Sequence, residues 1–205
     1  MKLYYAPGAC SLAPHIVARE AGLALDLEKV DLGSGKTETG AAFSEINPKG
    51  YVPALTLDEG GVLTEASAIV QYLADKAPQA ALAPARGTFE HYRLLEWLGF
   101  ISTEIHKGFG PLWNPKSPQA AKDLAKAALA RRFAYLDGQL AQRQFLLGER
   151  FSVADAYLFT VTSWANIHAI DITPYRNLKA HFDRVASRPK VREATAAEGL
   201  LKQAA

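Results

Sequence analysis

Lys2-Leu3-Tyr4-Tyr5-Ala6-Pro7-Gly8-Ala9-Cys10-Ser11-Leu12-Ala13-Pro14-His15-Ile16 decides how the first eighty residues are read. A short apolar strand, Lys2 to Tyr5, runs into a Pro-Gly turn, and a helical pattern follows at once. The chain's one cysteine stands where that helix should begin. N–H groups at a helix N-terminus lack intrahelical partners, and the helix dipole adds partial positive charge there. A thiolate at that position is therefore stabilised. Ser11 is placed to donate a further hydrogen bond. The same position equally suits an inert cysteine packed as a small hydrophobe, and the stretch alone leaves both readings open.

Outward from this stretch, the first helix is predicted from Cys10 to Ala21. Leu12, Ile16 and Val17 lie on its apolar side, Pro14 in its first turn, and Gly22 just past its end. Leu25 and Leu27 alternate with Asp26 and Glu28 as a second strand, which a β–α–β crossover makes parallel to the first. Residues 33–50 read as a polar, glycine-rich loop with one helical turn near Ala41 to Glu45, and loops of that length are often functional. Tyr51 to Leu57 is a strand whose early Pro53 suggests a strand start or edge, with a cis bond allowed. Asp58-Glu59-Gly60-Gly61 turns it into Val62-Leu63-Thr64. Thr64 is then a natural N-cap, with Glu65 at the first position of a helix that Pro78 ends. The order β-α-β-loop-β-β-α is thioredoxin-like.

Residues 79–85 form a linker between a domain at 1–78 and an all-α domain at 86–205. Helices are predicted at about Gly87–Phe109, Gln119–Arg143, Val153–Ile167 and Tyr175–Ser187, with a short one after Pro189 and a tail from Gly199 to Ala205. Ser152 and Asp155 make a capping box, with Phe151 as its hydrophobic staple. On the long helix Trp97, Ile101 and Ile105 form an apolar stripe. Gly99, Ser102, Thr103, His106 and Gly110 share another face, small and polar, which suits the wall of a polar groove or a close helix contact. His106 favours the groove.

At 205 residues, 49% hydrophobic and 21% charged, the composition is that of a globular protein with a real core. A net charge of +2 gives no argument for nucleic acid or an anionic membrane. No apolar run suggests a signal peptide or a membrane span. A lone cysteine excludes an internal disulfide, which makes a reducing cytoplasm the expected location, yet it permits a mixed disulfide with a small thiol. His15, His91, His168 and His181 have no metal-ligand spacing with Cys10 or one another, so no metal is expected.

Several segments together carry a family resemblance. They are Ala6-Pro7-Gly8-Ala9-Cys10-Ser11, Asn47-Pro48-Lys49-Gly50-Tyr51-Val52-Pro53, Leu63-Thr64-Glu65-Ala66-Ser67-Ala68-Ile69 with Gln71-Tyr72-Leu73, His106-Lys107-Gly108-Phe109, and Ser152-Val153-Ala154-Asp155. In this order and spacing the chain resembles, over essentially its whole length, the cytosolic glutathione S-transferases, and most closely their bacterial beta class. The resemblance implies a thioredoxin-like domain that binds glutathione and an all-α domain that carries the electrophile site, in a homodimer. Val52, before a cis-Pro53, would pair with the tripeptide like an added strand. Glu65 would take the γ-glutamyl ammonium, the Ala66 N–H its carboxylate, and Lys36 the glycyl carboxylate. Cys10 and His106 would act on the glutathione sulphur. Tyr4 and Tyr5, inside the first strand, read as packing residues.

Phe109, Leu112, Trp113 and Trp164 are candidates for the hydrophobic pocket, with Thr103 and Gly99 on the groove wall. Two positions depart from the family. Gly99 stands where relatives often carry asparagine, and Ala66 where many outside the beta class carry serine, so only its backbone contact carries over. The expected activity is conjugation of glutathione to small hydrophobic electrophiles, dehalogenation included. A glutaredoxin-like thiol–disulphide exchange through Cys10 and a non-enzymatic glutathione-binding role are the alternatives. No second thiol follows Cys10, so a second glutathione would have to release a mixed disulphide.

Overall fold

The structure, a computed structural model, describes residues 1–201. Residues 202–205, the end of the predicted tail, lie outside the described residues. The chain divides into two compact units, one of residues 1–83 and 187–205, the other of residues 84–186.

In the first unit, strand β1 (Lys2–Tyr5) runs parallel to β2 (Asp26–Asp31) and antiparallel to β4 (Ala54–Thr56). The edges are β3 (Lys36–Thr37) beside β2 and β5 (Val62–Thr64) beside β4, which gives the order β3-β2-β1-β4-β5. Alternation along β1 sends Leu3 and Tyr4 to opposite faces. Both are buried, Tyr4 in a cluster with Val30, Phe43, Val52 and Ala54. Burial on both sides makes β1 read as an apolar run, whereas β2 keeps Asp26, Lys29 and Asp31 exposed beside buried Glu28 and Val30.

Helix α1 (Leu12–Glu20) packs against α3 (Ala66–Lys76). It begins two residues later than predicted, because Cys10 and Ser11 belong to the turn before it. It ends in a Schellman motif, the Leu23 N–H bonding the Ala18 carbonyl at 2.9 Å, with Gly22 left-handed at φ +68°. Residues 33–50 are less loop-like than expected: β3 lies within them, beside the short α2 (Phe43–Ile46), which overlaps the helical turn expected near Ala41 to Glu45. Phe43 is the reason, since a fully buried aromatic anchors a segment whose other residues are mostly exposed.

The second unit is helical: α4 (Phe89–Phe100), α5 (Gly110–Trp113), α6 (Gln119–Leu140), α7 (Val153–Ile167) and α8 (Arg176–Ala186). The single long helix predicted over 87–109 is broken into three kinds of turn. Regular α-helix stops at Phe100, a wider π-helical turn covers Ile101–His106, and a tight 3₁₀ turn covers Lys107–Phe109. The apolar side chains account for this. Trp97, Ile101, Ile105 and Phe109 recur at every fourth residue and are all buried. In a regular helix a four-residue step drifts by about 40° each time. The wide turn, with its i→i+5 bonds, undoes that drift and keeps all four on the core side. It also breaks the α-helical spacing behind the predicted row of Gly99, Ser102, Thr103, His106 and Gly110.

Helix α9 (Pro189–Ala197) groups with the first unit and not with the helices before it. It packs on α1, where Arg188 makes a two-pronged pair with Glu20, Nε to Oε1 at 2.7 Å and Nη2 to Oε2 at 2.8 Å. Pro189 separates α9 from α8 in the letters, as predicted, but nothing in the helical periodicity shows that α9 returns to α1.

Candidate active site

Cys10 sits in the turn between β1 and α1, 9% exposed, and its Sγ donates to the Val52 carbonyl oxygen at 3.3 Å. The turn is shaped by Pro7 and Gly8, Ala9 N–H bonding back to the Ala6 carbonyl at 3.0 Å with Gly8 at φ +71°. That positive φ is why glycine is needed there. The Ser11 hydroxyl does not serve Cys10. It accepts the Ala6 N–H and donates to the Ala6 carbonyl, each at 3.2 Å, and so closes the turn from below. Val52 precedes a cis peptide bond to Pro53. From the chain's far end, Glu198 accepts the Gly8 N–H at 2.9 Å and faces His15 Nδ1 at 2.9 Å.

Glu65 is the N-cap of α3, with Thr64 still in β5, one position away from the predicted arrangement. Its backbone is held at φ +68°, ψ +118°, a conformation an L-residue adopts only when its surroundings enforce it. Lys49 Nζ donates to Glu65 Oε1 at 2.6 Å and to Thr64 Oγ1 at 2.9 Å, and the Tyr51 hydroxyl donates to the same Oε1 at 3.2 Å. The hydrogen bond to Glu65 raises the Lys49 ammonium above the usual lysine range. Neither Lys49 nor Tyr51 was singled out in the sequence. They reach Glu65 because the chain turns back on itself through β4 and β5. The Ala66 N–H stands at the open N-terminal end of α3, where the Glu65 carbonyl already takes the N–H groups of Ala68 and Ile69. Lys36 is exposed and lies on strand β3, opposite Asp31, and not on a loop.

In the second unit, the half-buried His106 closes the π-helical turn. Its Nδ1 lies 2.6 Å from the hydroxyl of Tyr157, and its ring meets Trp164 edge-to-face at 4.9 Å. Tyr157 and Trp164 are seven residues apart on α7, two turns along one face, and are 1% and 4% exposed. That spacing was the available signal for Tyr157, which the sequence reading missed. The capping box positions this helix: Asp155 Oδ2 accepts the Ser152 N–H at 2.9 Å and its hydroxyl at 2.7 Å.

The aromatic cluster continues through Phe109, 5.6 Å from Trp164, to Trp113, 5.5 Å from Trp164 and 4.3 Å from His168. Burial, and then the charge of Lys126, hold the His168 imidazole below its ordinary pKa. Of the four pocket candidates, Phe109 is fully enclosed, Trp164 nearly so and Leu112 half-buried, while Trp113 is 47% exposed. Phe109 and Trp164 are thus the backing of the cluster, and Trp113 is its accessible face. Thr103 is exposed and donates back to the Gly99 carbonyl at 3.0 Å. Gly99 is exposed, and a Cβ there would meet nothing within 4 Å.

Among the described residues no group of three or more His, Cys, Asp or Glu is arranged to hold a metal ion, and no helix is long and apolar enough to cross a membrane.

Residues 8–76 match the profile of the glutathione S-transferase N-terminal domain, and residues 100–189 that of the C-terminal domain. Glutathione S-transferase GstA of Escherichia coli O157:H7 is 44% identical over 200 residues, covering 98% of this chain and all of the relative. A beta-class glutathione S-transferase structure from Sphingomonas chungbukensis superposes with a TM-score of 0.95 at 50% identity, covering 98% of this chain and 100% of that one. A sphingomonad glutathione S-transferase solved in complex with glutathione gives 0.95 at 47% identity, with the same coverage. With both domains matched and full-length relatives at this identity, the chain belongs to the glutathione S-transferases, in their beta class.

Proposed function

We propose that this glutathione transferase holds its thiol substrate along the Val52 peptide group, with the sulphur at Cys10, and conjugates it to small hydrophobic electrophiles. The observation that carries this reading is the 3.3 Å contact between Cys10 Sγ and the Val52 carbonyl, which puts a thiol beside the backbone group expected to pair with the tripeptide. Glu65, backed by Lys49 and Tyr51, takes the γ-glutamyl ammonium, and the α3 N-terminus at Ala66 takes its carboxylate. Lys36 meets the glycyl carboxylate. In transfer, the glutathione thiolate displaces the leaving group, forming one S–C bond while the leaving group departs with the bonding pair. Cys10 and His106 act as hydrogen-bond donors to that negative sulphur. Trp113, supported by Trp164 and Phe109, with Leu112 beside it, forms the apolar wall for the electrophile, and Thr103 and Gly99 its polar edge.

Cys10 also supports a second reaction. Its thiolate attacks a mixed disulphide between glutathione and another thiol, forming the Cys10–glutathione disulphide and releasing that other thiol as its thiolate. A second glutathione then attacks the mixed disulphide, leaving as oxidised glutathione and freeing the Cys10 thiolate. Glutathione binding is assigned to residues 1–78 and the electrophile side to the helices of 86–205, joined by 79–85, except that α9 packs back on α1 of the first unit. The protein is proposed to act as a homodimer. The exposed Phe89, Tyr92 and Leu95 along α4 support this, as contiguous apolar surface of that kind marks association sites.

Intact-mass analysis after incubation with oxidised glutathione tests the exchange. A thiol-reversible, glutathione-sized adduct absent from Cys10→Ala supports it, and an unmodified mass removes it. Steady-state conjugation by Cys10→Ala, alongside its glutathione affinity, tests the transfer role. Binding retained with conjugation lost supports it, and conjugation at the wild-type rate overturns it. A sizing column settles the dimer.

A further inference from the structure

His106 has two ring nitrogens, and only a protonated one can donate to a negative sulphur. Its Nδ1 faces the Tyr157 hydroxyl at 2.6 Å, a short contact for an O–H and a ring nitrogen. Of the two groups, the phenol is much the stronger acid and the neutral imidazole nitrogen the stronger base, so the proton in this bond belongs to the phenol oxygen. Tyr157 therefore donates, Nδ1 accepts, and the neutral ring carries its own proton on Nε2. The geometry resists an alternative. Tyr157 is 1% exposed, its ring stands at 89° to the imidazole with centroids 5.9 Å apart, and Trp164 braces the same imidazole edge-to-face. A ring gripped by two residues of one helix face cannot turn over without opening that contact.

We propose that Tyr157 is a positioning residue that fixes His106 in the Nε2–H tautomer and so presents an N–H donor to the sulphur of glutathione. The inference rests on the reading of His106 as a sulphur-facing group, and its test separates the two. It also explains why the π-helical turn ends at His106. The widened turn carries the ring to α7, while the tight turn after it returns Phe109 to the core.

The test is long-range ¹H–¹⁵N correlation spectroscopy of histidine-labelled protein, above the imidazole's titration range, with the His106 signals assigned by their loss in His106→Ala. The expected spectrum shows Nε2 protonated and Nδ1 bare in the wild type, and a mixture of tautomers in Tyr157→Phe. In that variant kcat for conjugation should fall roughly tenfold, and its pH profile should move to the alkaline side, because less of the bound thiol is ionised at a given pH. A wild-type ring protonated on Nδ1, or a Tyr157→Phe ring still wholly Nε2–H, overturns the proposal. The wild-type spectrum is decisive even should Tyr157→Phe not fold. Wild-type turnover in His106→Ala, with the spectra as expected, would instead overturn the reading of His106 on which the proposal rests.

Discussion

A buried imidazole meets a buried carboxylate in each unit, and the two pairs are built differently. In the first unit His15 Nδ1 faces Glu198 while Arg19 Nε donates to His15 Nε2 at 2.9 Å. Nε2 is thus the acceptor, Nδ1 carries the proton, and a cation closes the chain of bonds. In the second unit His181 Nε2 faces Asp155 Oδ1 at 2.9 Å, and its Nδ1 has no hydrogen-bond partner among the described residues. Asp155, in turn, gathers more donors: the Leu146 N–H at 2.8 Å on Oδ1, and both Ser152 donors on Oδ2. One pair ties residues 8, 15 and 19 to position 198, across nearly the whole chain. The other closes within residues 146–181. Each steadies a proposed reacting group at one remove, Glu198 through the turn that holds Cys10, and Asp155 through the helix that holds Tyr157 and Trp164.

The largest effect is expected where one carboxylate satisfies the most buried donors. Asp155→Ala strands two backbone or hydroxyl donors at Ser152, the Leu146 N–H and the His181 ring, and should cost about 3–5 kcal/mol in denaturant unfolding. Glu198→Ala strands the Gly8 N–H and His15, and leaves Arg19 near the surface, where its charge can find water. A loss of about 2–3 kcal/mol is expected, with faster hydrogen exchange at Gly8. Should Glu198→Ala prove the costlier change, long-range closure and not the number of donors governs, and the comparison would have to be reversed.

The same contrast explains what the sequence disclosed. Ser152-x-x-Asp155 is a local device, so the start of α7 could be read from four letters. Cys10 and the Pro7-Gly8 turn were legible for the same reason, as was the β–α–β order. Glu198 was not, since it lies at the end of what read as a short helix after Pro189 and its partners are nearly two hundred residues away. Lys49 and Tyr51 escaped because only the pairing of β4 with β5 brings them to Glu65. The row on the long helix failed for another cause. Regular 3.6-residue spacing was assumed across residues 99–110, and the four-residue recurrence of Trp97, Ile101, Ile105 and Phe109, visible in the letters, is what demanded a wider turn. The partial exposure of Trp113 against the burial of Phe109 depends on packing and has no sequence signal at all.

A third buried carboxylate sharpens the comparison through pH. Glu28 accepts from Lys2 Nζ at 2.8 Å and from Thr39 Oγ1 at 2.5 Å, tying β2 to β1 and to the turn after β3. The Lys2 hydrogen bond first, then that of Thr39, holds its carboxyl down at about 2. A depressed carboxylate favours the folded state fully above its ordinary pKa, and that contribution is lost as pH falls towards 2. Glu28→Gln should therefore cost roughly 1–2 kcal/mol at neutral pH. It should also flatten the stability curve between about pH 5 and pH 2 relative to wild type. Parallel curves for the two proteins would remove Glu28 from the account.

The smallest effect sits at Gly99, where the family resemblance leads one to expect asparagine. The residue is exposed within α4, at an ordinary helical φ, and nothing lies within 4 Å of where a Cβ would go. Asparagine there should fold without strain, and the lower backbone freedom of the unfolded chain should add a few tenths of a kcal/mol. Its amide would stand one turn before Thr103, whose hydroxyl already bonds the Gly99 carbonyl. If this face meets the glutamyl end of glutathione, Gly99→Asn lowers KM for glutathione while leaving kcat nearly unchanged, since binding is strengthened equally in ground and transition states. An unchanged KM with the small gain in stability would mean that Gly99 touches no part of the thiol substrate. The polar edge of the second unit would then begin at Thr103, and the recognition of glutathione would rest that much more on Val52, Glu65 and Ala66 in the first.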